Sequence, residues 1–127
     1  MESLYQTSNI SISLDSKTNT LICTWIGPQN EEALRQAGAK IKELFIAHNC
    51  TKILNDNTQV VGEWNHSTQW ARNEWFPQMI RLGLKKFAWV LALDTVAQIS
   101  AYWVSPGIHI VKTFISTEDA FKWLVED

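Results

Sequence analysis

Ile10, Ile12 and Leu14 alternate with Ser11 and Ser13. A period of two is that of a strand with one buried face. Asp15, Ser16, Lys17, Thr18 and Asn19 form a polar turn cluster, and residues 21–26 then read as a second strand, apolar at nearly every position. Two strands joined by a short polar turn predict an antiparallel hairpin. Gly27 and Pro28 break the second strand. Asn30 is placed to cap a helix, with Glu31 and Glu32 in its first turn, where negative charge suits the helix dipole. Ala33, Leu34, Ala37, Ile41, Leu44 and Phe45 recur at helical spacing, so an amphipathic helix of about 17 residues is expected, ending near His48 and Asn49.

Residues 52–55 read as a short strand that runs out into Asp56, Asn57 and Thr58, with a polar connection containing Gly62 after it. A second helix is expected from about Ser67, carrying Trp70, Trp75, Met79, Ile80 and Leu82. Pro77 predicts a kink or a restart in it, and Gly83 a stop. Residues 87–93 are apolar on both faces, the pattern of a covered strand in a parallel sheet. A helix over 95–104, ended by Ser105, Pro106 and Gly107, and a last strand over 108–111 come next. Ser116 with Asp119 three residues on resembles a capping box, opening a final helix with Ala120, Trp123 and Leu124. The order is β-β-α-β-α-β-α-β-α. It predicts one α/β domain over residues 1–127: a mixed, mainly parallel sheet, an N-terminal antiparallel hairpin whose first strand is an edge, and about four helices.

Charge removes several function classes. The formal net charge is −2, and the basic residues are scattered, Lys85 and Lys86 being the densest pair. Nucleic acid and anionic membrane surfaces both call for a basic stripe, so neither is an expected partner. The longest apolar run, 87–93, is far below the ~20 residues of a membrane-spanning helix. The polar start, residues 1–9, is unlike a secretory signal, so a cytoplasmic location is expected, with Cys23 and Cys50 reduced. His48, His66 and His109 have no metal-like spacing, no Cys-x-x-Cys occurs, and neither a phosphate-binding glycine loop nor a nucleophile elbow is present. No cofactor and no metal are expected, and the chain reads as a non-enzyme.

Two groups of residues remain as candidates. Asp56, Asn57 and Thr58 fall at the carboxyl end of a strand, where ligands of open α/β sheets gather, above all at a switch point in strand order. Asp94 ends the next strand and is expected beside them. Such a rim is either a polar ligand or partner-docking site, or a turn capped by its own side chains. The second group is aromatic, in a chain with seven tryptophans among fourteen aromatic residues. Trp64, Trp70, Trp75 and Phe76 crowd one loop and helix. In an α-helix, residues 70 and 75 lie about 140° apart, too wide for one core-facing stripe. The rings therefore either line a pocket or an interface, or are folded onto the core by the kink at Pro77.

The element order, the segment Leu54, Asp56, Asn57, the run Gln69, Trp70, Glu74, Trp75, Phe76, Pro77 and the ending Phe114, Ser116, Ala120, Trp123, Leu124 resemble the SpoIIAA-like proteins, small bacterial proteins of the STAS/SEC14-like class. The resemblance covers nearly the whole chain. It implies a STAS-type mixed sheet covered by helices. It also implies either regulatory contact with a protein partner or the carriage of a small apolar ligand, as SEC14-type relatives carry lipid; the missing catalytic set and the surplus of aromatic residues point to protein contact, with self-association as a homodimer. Thr58 stands where relatives often have Arg, and the Asp-Ser phosphorylation dipeptide of anti-sigma-factor antagonists is absent.

Overall fold

Six strands form one sheet in the order β1-β2-β3-β4-β5-β6, so neighbours in the chain are neighbours in the sheet. The computed structural model describes residues 1–62, 68–92 and 108–126. β1 (Glu2–Gln6), β2 (Ile10–Asp15) and β3 (Thr20–Pro28) pair antiparallel; β3, β4 (Lys52–Val61), β5 (Lys86–Val90) and β6 (Val111–Phe114) pair parallel. The mixed sheet and its N-terminal hairpin are those read from the sequence. Trp64, Asp94 and the helix expected over 95–104 lie outside the described residues.

Several strand boundaries differ from expectation, and β5 ends at Val90 instead of running on through Leu91 and Ala92 as a strand over 87–93 would. β1 has no hydrophobic alternation, because its residues are exposed or half-buried. Backbone pairing to β2 holds it in place, and it takes the edge position expected for β2. β4 continues six residues beyond Asn55, because β3 pairs with it as far as Val61. The last strand is 111–114 rather than 108–111, with Val111 packed against one core cluster and Phe114 against the other.

α1 (Glu31–Ala47) begins as its sequence dictates: the Asn30 side-chain oxygen accepts from the Ala33 N–H at 2.8 Å. α2 (Thr68–Trp70), a π-helical stretch (Ala71–Trp75) and α3 (Phe76–Arg81) succeed one another without a break. The Phe76 N–H donates to the Ala71 carbonyl, five residues back. Pro77 has no N–H, and in an α ladder its ring would crowd the carbonyl of Asn73. Instead of a sharp kink, the helix takes up an extra residue per turn just before the proline. α4 (Thr117–Val125) starts with the Asp119 N–H donating to Ser116 Oγ at 3.2 Å. Among the described residues the helices thus make three bodies; the fourth expected, over 95–104, lies outside those residues.

The sheet has two dissimilar faces. Side chains alternate along each strand. Leu21, Cys23 and Trp25 of β3, Ile53 of β4, and Phe87 and Trp89 of β5 form one core with Ala37, Ile41 and Phe45 of α1 and Trp75, Phe76 and Met79. Leu54, Ala88 and Val90 point the other way and meet Ala120 and Leu124 of α4. Because the strand order runs without a reversal, the described parallel strands contain no switch point. The crevice anticipated there from the sequence is therefore not what shapes a site. The candidate site lies instead between the sheet and its helices.

Candidate functional site

Asp56, Asn57 and Thr58 lie inside β4, not in a loop after it. Thr24 of β3 faces Asp56 and Ile26 faces Gln59, so two residues of β4, Asn57 and Thr58, oppose the single Trp25. This is a β-bulge, uncommon in parallel pairs and often found beside sites where a side chain is re-aimed. Asp56 holds it: one carboxylate oxygen accepts from the Thr58 N–H at 2.9 Å and the Thr58 hydroxyl at 2.7 Å. That is the geometry of local capping. Asp56 and Asn57 stand on opposite faces of the strand, and Asp94, the carboxylate expected beside Asp56 on one rim, lies outside the described residues.

The bulge reverses the facing of the later β4 residues. With a strict period of two, Asn55, Asn57 and Gln59 would share a face. After the extra residue, Gln59 is exposed and Val60 is buried on the helix-covered side. Asn55 and Asn57 are themselves buried there. The Trp25 indole N–H donates to Asn55 Oδ1 at 2.7 Å, and Asn55 Nδ2 donates to Asn57 Oδ1 at 3.0 Å. Burying two amides is expensive unless they are paired, and this chain pairs them.

The aromatic group is brought together by the π-helical stretch. An i→i+5 ladder sets residue 75 nearly above residue 70, where an α-helix would splay them. Both indoles then reach α1 at Gly38. A Cβ there would lie 2.7 Å from Trp70 Cη2 and 3.2 Å from Trp75 Nε1. The Trp75 N–H donates to the Gly38 carbonyl at 3.0 Å, and Trp75 is 7% exposed. Trp70 is half-buried, with the Arg35 guanidinium 5.2 Å from its ring centre. Trp75, Phe76, Phe87 and Trp89 meet edge to face, at centroid distances of 4.9 to 6.1 Å, the arrangement that ring quadrupoles favour.

Edge-to-face rings leave space, and here they enclose a cavity of about 70 Å³, partly open to solvent. Trp25, Trp70, Trp75, Phe76, Phe87 and Trp89 supply aromatic wall; Asn55, Asn57, Val60 and Gln29 come from β4 and the turn after β3. Its lining is almost wholly apolar. Leu34, Trp70 and Ala71 are its half-buried members, so the mouth lies between α1 and the start of the α2–α3 rod.

Gln29 is held in an informative way. Its Nε2 donates to the carbonyls of Ile26 at 3.0 Å, Gly27 at 3.3 Å and Asn9 at 3.4 Å. Turning the amide over would set oxygen against three oxygens, so the assignment of its two ends is fixed. Its Oε1 is buried and accepts no hydrogen bond among the described residues. An acceptor so placed costs about 1–3 kcal/mol. Beneath the same wall, burial pushes the Cys23 thiol far above its ordinary pKa, with Cys50 adding to the shift. A thiol so placed is neutral and unreactive.

Of the residues singled out from the sequence, Asn57, Trp70 and Trp75 line the cavity, while Asp56 and Thr58 brace the strand that carries it. Sequence reasoning did not single out Trp25, Gln29, Gly38 or Asn55 as lining residues. One signal was present: two amides at i and i+2 in a strand that opens Ile53-Leu54. Among the described residues, no cluster of His, Cys, Asp and Glu could hold a metal ion, and no helix is long and apolar enough to cross a membrane. No protein-family model matches the chain, and no curated protein matches it.

Proposed function

We propose that this chain is a non-catalytic binding domain of the SpoIIAA-like, STAS/SEC14-like type that carries or senses a small apolar ligand in the cytoplasm. The observation that carries this reading is the aromatic-walled cavity between the sheet and the helices α1–α3. Protein interiors are ordinarily filled, so a partly open apolar space in the middle of the largest core asks for an occupant. Two buried, unlinked thiols are in keeping with a reducing compartment. Titration with toluene, monitored by NMR of the indole N–H groups, tests it. Trp25 and Trp75 donate to fixed partners, and their resonances are expected to shift saturably. No shift in toluene-saturated buffer would sink the reading.

Docking of a protein partner or a second copy is the other reading, favoured by one observation. Ile115 is 83% exposed directly after β6, a sheet edge. Such an edge offers unpaired backbone groups to another strand. Light scattering across a concentration series tests it, and a monomer at every concentration counts against self-association.

A further inference from the structure

An apolar cavity of about 150 Å³ takes benzene. The present one encloses about 70 Å³. A ring lodged in its mouth would keep part of its surface in water. On the ligand-binding reading above, from which this step follows, full burial of a ring therefore needs a wall that gives way. Five of the six aromatic residues of the lining are pinned. Trp25 and Trp75 are buried and donate their indole N–H groups to Asn55 Oδ1 and the Gly38 carbonyl. Phe76, Phe87 and Trp89 are buried and joined to Trp75 by edge-to-face contacts. Trp70 is different. Its ring is half-buried, and its indole N–H finds no hydrogen-bond partner among the described residues. It stands at the end of the three-residue α2. Two contacts hold the ring in place. Its Cη2 rests on the bare backbone of Gly38, where a Cβ would come within 2.7 Å, and the Arg35 guanidinium lies 5.2 Å from the ring centre.

We propose that Trp70 is the movable wall of this site: its indole swings off Gly38 to admit a ring, and Arg35, set over the closed indole, governs how readily it does so. The swing needs only a change of side-chain rotamer. Trp25 and Trp75 keep their hydrogen bonds, and the sheet is untouched. A cation over the face of an indole favours the closed position, and Glu31, 3.2 Å from the guanidinium, steadies the cation. Ligand must then bind from the open fraction of molecules, and its apparent affinity falls in proportion to that fraction. Arg35 thus regulates the site from outside it, since it is exposed and forms no part of the lining.

Toluene titration of the intact protein, followed by NMR, tests this. In the free protein a nuclear Overhauser effect between Trp70 Hη2 and the α-protons of Gly38 is expected from their closeness. At saturation that effect is expected to vanish, while the shifted indole N–H signals of Trp25 and Trp75 report the bound toluene. If it persists at saturation, Trp70 is a fixed wall and the proposal is overturned, with the apolar-ligand reading intact. In Arg35→Gln, toluene is expected to bind about two- to fivefold more tightly, because a cation–π contact at an exposed site no longer holds the wall shut. A fixed wall braced by Arg35 predicts the opposite sign: weaker or unaltered binding in Arg35→Gln overturns the proposal. The first measurement uses the unaltered protein, so it stands whatever the variant does. No toluene binding at all overturns both the movable wall and the reading beneath it.

Discussion

On one face of the sheet Leu54, Ala88 and Val90 meet Ala120 and Leu124 of α4, small and medium side chains that are all but fully buried. On the other, Trp25, Trp75, Phe76, Phe87 and Trp89 meet one another and α1, and their angular packing leaves a cavity. Small residues let helix and strands approach until nothing remains between them. Large flat residues bury more area each but tile poorly, since ring pairs favour right-angled contacts over stacks. The same strands serve both faces, so the contrast comes from alternate positions of one sequence. The open face carries the candidate site.

The sharpest break of that contrast is Trp75→Ala. It removes the ring that joins α1, the π-helical stretch and Phe87, and is expected to cost about 3–5 kcal/mol in urea unfolding. If the loss is under about 1 kcal/mol, the aromatic face contributes little to the core. On the opposite face, Ala88→Leu forces extra volume against α4 and is expected to cost about 1–3 kcal/mol. The matching enlargement on the open face, Val60→Ile, has the cavity to grow into and should change stability by less than about 0.5 kcal/mol while weakening toluene binding. Equal penalties for the two enlargements would show the cavity to be closed in solution.

Alkaline pH probes the buried thiol behind the aromatic wall. In the unfolded chain Cys23 ionises near its ordinary value of 9.0, whereas burial holds it protonated in the fold. Above that pH the native state binds more protons than the unfolded one, so stability falls as pH rises. It should be constant with respect to this group below about pH 8 and decline by up to about 1.4 kcal/mol per pH unit above about 9. Unfolding curves of Cys23→Ala are expected to show a shallower decline. A small effect is also expected of Gly38→Ala. Its methyl group would press on Trp70 Cη2 at 2.7 Å, but the ring is half-buried and can yield, and alanine favours the helix. A net loss of about 1 kcal/mol or less is expected, together with a change in the fluorescence of Trp70. Unchanged fluorescence would separate Gly38 from the placement of that ring.

Where local chemistry was strong, the elements could be read directly. Asn30 with Glu31 and Glu32 announces α1, Ser116 with Asp119 announces α4, and the Ser11 and Ser13 alternation announces β2. β1 could not be read, because Glu2–Gln6 is stabilised by pairing along an edge and not by a buried stripe. The length of β4 was hidden for a related reason: Asp56, Asn57 and Thr58 look like a turn, and the side-chain bonds of a turn are present, but they are spent on a bulge inside a paired strand. Pro77 signalled a disturbance in its helix and left open which kind.

Period and local hydrogen bonding were enough to establish the α/β class, the hairpin, the capped helices and an aromatic excess too large for one α-helical stripe. Where that excess goes was settled by contacts between distant segments. An i→i+5 ladder before Pro77 turns Trp70 and Trp75 onto the same side, a glycine on a distant helix makes room for both, and one extra residue in β4 sets Val60 instead of Gln59 beside them. The ladder is local to Pro77, but the glycine and the bulge each depend on the meeting of two segments far apart in the chain, and periodicity within either segment carries no record of the meeting.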